Sequence, residues 1–222
     1  MNLANIKLVI SDMAGTSVHD GGEVESAFRA GLADHGIEAS TAQISAVRGA
    51  SKREAIATLC EPKYGKDAAR VEAVYASFKS HLQRVFTREA RPVAGAPQAF
   101  AWLKQRGVKL ALNTGFDHDI AGLLIDALQW NGVADALVCG DDVKIGRPAP
   151  YMIFRSMELT GVASVHEVLV VGDTVSDLQS AHNAGVAAGV AVLNGAHCRE
   201  QLAREPHTNL IDSIADLPRL WD

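Results

Sequence analysis

The sequence predicts an α/β protein with a doubly wound, mostly parallel sheet and a small helical domain inserted into it. Three observations carry this expectation. Short apolar runs recur at 8–10, 110–112, 136–138, 168–171 and 190–193, and runs so brief and rich in Val, Ile, Leu and Ala suit strands buried on both faces. Segments with helical spacing separate them, and strand–helix–strand order implies a parallel sheet with right-handed crossovers. One stretch, from about Gly21 to Arg91, breaks the alternation and contains no convincing strand.

Taken in order, the first run leads directly into Asp12. Three amphipathic segments follow at 24–35, 41–59 and 68–86. The Gly21-Gly22 pair and the Pro92-Val93-Ala94-Gly95-Ala96-Pro97 stretch bracket them like two hinges. The chain therefore divides into a core of residues 1–20 and 92–222 and a helical insert of residues 21–91. Within 99–106, Phe100 and Leu103 continue to Val108 past Gly107, a helix stop before the second strand, and 120–128 repeats the idea before the third. The run at 168–171 passes through Gly172 into Asp173.

Composition narrows the function classes. The 222 residues include 48% hydrophobic and 21% charged, near globular averages, so wholesale disorder and fibrous architectures are excluded. Lys plus Arg is 21 against 26 Asp plus Glu, a net charge of −5 with no basic block to follow a phosphate backbone, so no nucleic-acid partner is expected. The opening MNLANIKLVISD lacks the features of a secretory leader, and no uncharged apolar run reaches the ~18 residues of a membrane span. The expected location is cytoplasmic, without membrane association. Cys60, Cys139 and Cys198 form no CxxC pair, which fits reduced, mostly buried thiols.

Three apolar runs end in reactive residues: Asp12, Thr114 just beyond Asn113, and Asp173. Ligands of open parallel sheets bind beyond the carboxyl ends of the strands, so these three should converge there. Each alone is as readily a helix N-cap; shared placement favours a site. Asp12, Asp173 and Asp177 would then crowd one pocket, where two like charges ~4 Å apart repel by ~4 kcal/mol at an effective dielectric of 20. A cation belongs among them, and all-oxygen ligands beside a phosphate suit Mg²⁺. With a hydroxyl at Thr114 and a cation at Arg147 or Lys144, the inventory describes phosphoryl transfer through an aspartyl phosphate. Lys144 reads more simply as solvent-facing.

The motifs DMAGT (12–16), NTG (113–115), GRPAP (146–150) and GDTVSD (172–177) resemble, in order, the four motifs of the haloacid dehalogenase superfamily. The insert is similar to that superfamily's small helical cap, which closes over the sheet and excludes water. Ala14 in place of a second aspartate, Arg147 in place of the usual lysine, and GDTVSD with the later NAG (183–185) resemble the phosphonatase branch. That resemblance implies Asp12 as nucleophile and Mg²⁺ ligand, the Ala14 carbonyl and Asp173 as further ligands, and Asp177 near the metal or just behind its ligands. It also implies that Thr114, Gly115 and Arg147 hold the phosphoryl oxygens.

Ala14 cannot protonate a leaving group, a service worth ~10² to 10⁴ in rate, so the expected substrate departs as a stabilised carbanion, enamine, acyl phosphate or anhydride fragment. His19 or Asp20 is a substitute acid or, more simply, solvated loop. Lys52, three residues after Gly49, matches the spacing of the branch's imine-forming lysine; phosphate grip and solvated helix residue stay open beside that role. An imine needs a neutral amine, and Arg48, Arg53 and cap closure are expected to depress its pKa.

Several positions depart from the branch: Arg48 for methionine, Ala55 for histidine, Gly22 for cysteine and Phe116 for tyrosine. Arg48 points to a more anionic substrate, and LNGAHCREQL (193–202) resembles branch members of unassigned substrate. The expected function is Mg²⁺-dependent hydrolysis of a small phosphonate or phosphorylated metabolite. The alternative is a phosphomonoesterase of phosphoglycolate or sugar-phosphate type, with Arg48 and Lys52 only binding substrate; a homodimer is left open. His118, His166, His182, His197 and His207 lack metal spacing and read as surface or capping residues, and Trp102, Trp130 and Trp221 as helix-face anchors.

Overall fold

The computed structural model describes residues 3–221. Six parallel strands form one sheet: β1 (Leu8–Asp12), β2 (Lys109–Asn113), β3 (Ala136–Val138), β4 (Val168–Gly172), β5 (Ala188–Val192) and β6 (Asn209–Ile211), in the order β3-β2-β1-β4-β5-β6. All residues of β1, β4 and β5 are buried, as the uninterrupted apolar runs require. The sixth strand is a finding the sequence did not indicate. Its three residues are only half-buried at the sheet edge, so Asn-Leu-Ile shows no apolar run.

Alternating side chains serve two layers. Leu8, Ile10, Val168 and Val170 pack with Ile153 and Met157 of α7 (Tyr151–Thr160) and Ala181 and Ala184 of α8 (Val175–Ala184). Val9, Leu110, Leu112, Leu169 and Val171 face the other way, toward Phe100 and Leu103 of α5 (Ala96–Gln105), Ile120 and Leu124 of α6 (His118–Ala127), and Ile214 and Leu217 near the C-terminus. Trp130 packs edge-on to Phe100, and Trp102 to Trp221. Cys60 and Cys139 are buried and Cys198 is exposed, all as free thiols. Among the described residues no helix is long and apolar enough to cross a membrane.

The insert consists of α1 (Glu23–Ala33), α2 (Thr41–Ala46), α3 (Lys52–Tyr64) and α4 (Ala68–Glu89). Phe28 and Leu32 of α1 bury against Val74, Phe78 and Leu82 of α4, with the Phe28 and Phe78 rings 4.6 Å apart. The single helix expected over 41–59 is broken. Gly49 sits at φ +86°, a left-handed conformation incompatible with helix continuation, and splits the segment into α2 and α3. A Ser40–Gln43 capping box sets the start of α2. The two crossings between insert and core run side by side: His19 N–H donates to the Arg91 carbonyl at 3.0 Å, and Val93 N–H to that of Ser17 at 2.9 Å.

Register places the site. Asp12 pairs with Asn113 across β1 and β2, and Ser11 with Val171 across β1 and β4. The tips of β1, β2 and β4 therefore end at one level, and Asp12, Thr114 and Asp173 emerge together.

Candidate active site

After Asp12 the chain turns sharply, with the N–H groups of Thr16, Ser17 and Val18 all donating to the Met13 carbonyl. Gly15 makes the turn possible: its φ is +100°, and a Cβ there would strike the Asp173 carboxylate. The turn thus presses main chain against Asp173. That carboxylate is fully buried, accepts from Thr16 Oγ1 at 3.0 Å and from Ala196 N–H at 2.7 Å, and has no basic ion-pair partner among the described residues. Burial, then the charge of Asp12, pushes its carboxyl up to about 6.

Arg147, 5% exposed, reaches Asp12 Oδ1 with Nη1 at 2.8 Å and pairs through the same nitrogen with Asp177 Oδ1. Its Nε is buried and donates to nothing among the described residues. Asp177 is committed elsewhere as well. Its other oxygen accepts from Thr174 N–H at 3.0 Å and Thr174 Oγ1 at 2.6 Å in the capping box that starts α8. Asp177 therefore stands behind Arg147 and does not line the cavity. Thr114 is buried at the tip of β2, its Oγ1 accepting from Phe116 N–H at 3.2 Å.

From the insert comes Lys52, the first residue of α3. Its main-chain N–H donates to the Gly115 carbonyl at 2.9 Å, joining insert to core. The side chain is 7% exposed, with Nζ 3.4 Å from the Ala50 carbonyl and 5.1 Å from the centre of the Phe116 ring. No carboxylate pairs with it among the described residues. Burial, followed by the charges of Arg147 and Arg48, lowers its pKa to about 8. Arg53, expected to share in this, instead turns outward to Glu72 and Asp117 and stacks over Tyr75.

Arg48 lines the cavity but its guanidinium pairs with Asp20, whose side chain is 2% exposed. Asp20 also accepts from the N–H groups of Gly22 and Val24 at the start of α1. Burial raises its carboxyl, but the Arg48 charge and these hydrogen bonds outweigh burial and hold it below the usual range. Asp20 is thus a buried ionised anchor, not the solvated loop residue expected, and not a proton donor. Lys144 is exposed, as expected.

His197 is the contact that sequence reasoning missed. It is buried: Nδ1 accepts from Val175 N–H at 2.9 Å, and Nε2 lies 3.2 Å from the Ser45 carbonyl in α2. This imidazole bridges core and insert, and burial lowers its pKa. No spacing signal marks it, because both partners are main-chain atoms distant in sequence.

Asp12, Ala14, Arg48, Lys52, Thr114, Gly115, Arg147 and Asp173 thus converge on one cavity of about 20 Å³, room for about one water. Two carboxylates, one of them buried without a basic partner, fit a hard divalent cation with oxygen ligands. The remaining groups supply a cationic wall and a neutralisable amine.

Comparison with known proteins agrees with this inventory. The profile of haloacid dehalogenase-like hydrolases matches residues 6–185. A phosphonoacetaldehyde hydrolase of Bacillus cereus is 33% identical over 119 residues, covering 53% of this chain and 45% of that protein. One of Hahella chejuensis is 32% identical over 199 residues, covering 83% of this chain and 66% of that protein. The chain thus spans about half to two thirds of the length of these relatives. A crystallised hydrolase of Pseudomonas syringae shares the fold with a TM-score of 0.85 at 22% identity, covering 96% of both chains.

Proposed function

The chain belongs to the haloacid dehalogenase-like hydrolases, in their phosphonatase-like branch, and from that premise we propose that it cleaves the carbon–phosphorus bond of a small aldehyde phosphonate such as phosphonoacetaldehyde. One observation carries the reading: Lys52 is a buried amine without a carboxylate partner among the described residues, in the same cavity as Asp12. A lysine gripping phosphate works best fully protonated; a lysine forming an imine must lose its proton. At pKa about 8 roughly a tenth of the amine is neutral at pH 7, against ~0.04% at the ordinary value.

In this reading the neutral Lys52 amine attacks the aldehyde carbon, and the adduct takes back from solvent the proton that Lys52 gave up and loses water, giving a protonated imine. An Asp12 carboxylate oxygen attacks phosphorus. The carbon–phosphorus bond breaks with its electron pair moving into the imine, which becomes an enamine. The departing carbon therefore needs no acid at position 14, where Ala14 stands. Protonation of the enamine carbon and hydrolysis of the imine release acetaldehyde and free Lys52, and a second water hydrolyses the aspartyl phosphate. Arg147, with its unpartnered Nε, and Thr114 with the Gly115 main chain hold the phosphoryl oxygens, while Asp177 orients Arg147. Asp12, the Ala14 carbonyl and Asp173 would hold Mg²⁺, which offsets the charge that gathers between the carboxylates and the phosphoryl group.

Borohydride added to the enzyme with phosphonoacetaldehyde tests the reading by reducing an imine to a stable adduct. The expected result is one adduct, on Lys52, and loss of phosphonate turnover in a folded Lys52→Met variant. Phosphomonoester hydrolysis that survives Lys52→Met, with no adduct on the parent enzyme, would instead support a phosphatase of phosphoglycolate or sugar-phosphate type.

A further inference from the structure

Behind the loop that follows β2, three donors of different chemistry meet. His118 opens α6, Cys139 follows β3, and Asp141 lies in the short turn Gly140–Asp142. One ligand atom from each falls within 4.8 Å of the other two. Cys139 Sγ is buried and lies 3.5 Å from His118 Nδ1. With metal–sulfur and metal–nitrogen bonds of about 2.3 and 2.0–2.1 Å at a tetrahedral angle, zinc places such atoms ~3.5 Å apart. The far side of the imidazole is anchored too: His118 Nε2 is 3.0 Å from both oxygens of Asp142, itself fixed by Cys139 N–H at 2.8 Å. A carboxylate holding the distal nitrogen of a ligating histidine is the arrangement that sets the ring and its tautomer at metal sites. Asp141 is held against the pair by the His118 main-chain N–H, at 3.1 and 3.3 Å.

We propose that Cys139 Sγ, His118 Nδ1 and an Asp141 carboxylate oxygen form a second metal site, distinct from the oxygen-lined cavity at Asp12, that takes a borderline divalent transition metal, zinc above all. Thiolate, imidazole and carboxylate select such an ion over the hard cation that the Asp12 pocket fits. His118 and Asp141 are exposed, so the ion enters from solvent while the sulfur stays covered. Binding deprotonates the Cys139 thiol and releases that proton to solvent. The site would be a staple: it ties the turn after β3 to the start of α6, and Gly140 N–H already donates to the Phe116 carbonyl at 2.7 Å, beside the phosphate loop. Spacing does not mark His118 as a ligand, because its partners lie 21 and 23 residues further on, in the turn after β3.

Cobalt(II) titrated into the full-length metal-free protein tests this independently of any substrate. The expected signature is a thiolate-to-cobalt charge-transfer band saturating at one equivalent, displaced by zinc, and retained in Asp12→Asn and Cys198→Ser. Cys139→Ser abolishes the band, and the exposed-site variants His118→Ala and Asp141→Asn weaken zinc binding at least 10-fold with unchanged circular dichroism. Asp142→Asn weakens it ~10- to 100-fold. Absence of the band in the parent protein, or its survival in folded His118→Ala at parental affinity, would overturn the proposal and leave a thiol hydrogen-bonded to an imidazole.

Discussion

Lys52 and Asp173 are each held against their ordinary ionisation, and each makes a signed prediction. The folded pKa of Lys52, about 8, lies below the unfolded value. Between the two the unfolded state binds more protons, so stability rises with pH across that window, and below it the full cost of burying the charge is present. Lys52→Met should therefore stabilise the protein by about 3 kcal/mol at pH 7, and the gain should shrink toward pH 10. Urea unfolding of both forms at the two pH values checks this; a variant less stable at pH 7 contradicts it. Imine formation should in turn make kcat/KM on an aldehyde phosphonate rise with pH until about 8 and then level. Asp173 is shifted upward, to about 6, so its contribution falls as pH rises from the unfolded carboxylate value through about 6, and the cost remains above that. A divalent cation held at Asp173 would remove that cost. The rise in Tm on adding Mg²⁺ should be larger at pH 7 than at pH 5, and an equal rise at both would contradict the assignment. Asp12, Thr114, Arg147 and Asp173 were legible in the sequence because each belongs to a motif that follows an apolar run or a turn signal. The commitment of Asp177 to Arg147 and Thr174, and the burial of His197, were not, because partner choice depends on which loops meet.

At the scale of elements, the α2–α3 break is what brings Lys52 to the cavity. Gly49 has φ +86°, and a Cβ there would strike Thr174 Oγ1 and approach Ser176 Cβ to 2.9 Å. Gly49→Ala adds left-handed strain of about 1–2 kcal/mol and holds the insert off the core. Misplacing Lys52 by about 1 Å predicts a fall in kcat/KM of about 10²-fold with far-ultraviolet circular dichroism unchanged. The Arg53–Asp117 pair, 3.2 Å across the same boundary, is weaker because Arg53 is 43% exposed. Arg53→Met should raise KM by a factor of ~5 or less, since exposed pairs contribute ~1 kcal/mol at most. The helical character of the insert could be read from periodicity, whereas the break could not: Gly49 conforms to a helical pattern until Thr174 and Ser176 are seen beside it. β6 was missed for the converse reason, an edge strand too short and too exposed to leave an apolar signature.

The cavity between insert and core is narrow. A cavity of about 20 Å³ holds about one water, far less than a phosphonate, so the proposed reaction would require the insert to swing away and return. The contacts that would part include Lys52 N–H to Gly115, His197 to the Ser45 carbonyl, Ser176 Oγ to the Arg48 carbonyl, Gly146 N–H to Glu54, the Phe86–Phe116 ring contact, and the Arg53–Asp117 and Lys79–Asp119 pairs. The two crossings at 17–19 and 91–93 are joined by their own hydrogen bonds and would form the pivot. The fold class followed from the apolar runs; the fit of insert to core did not, because it depends on contacts between residues distant in sequence, several of them to main-chain atoms that leave no mark in residue type. In the proposed reaction Asp12 accepts phosphorus. Its most direct test is a single turnover with Mg²⁺ and phosphonoacetaldehyde, quenched in acid, reduced with borohydride and mapped by mass spectrometry. Residue 12 alone among the aspartates should be converted to homoserine, the reduction product of an aspartyl phosphate. An unmodified Asp12 throughout the turnover, together with parental phosphate release by Asp12→Asn, would contradict it.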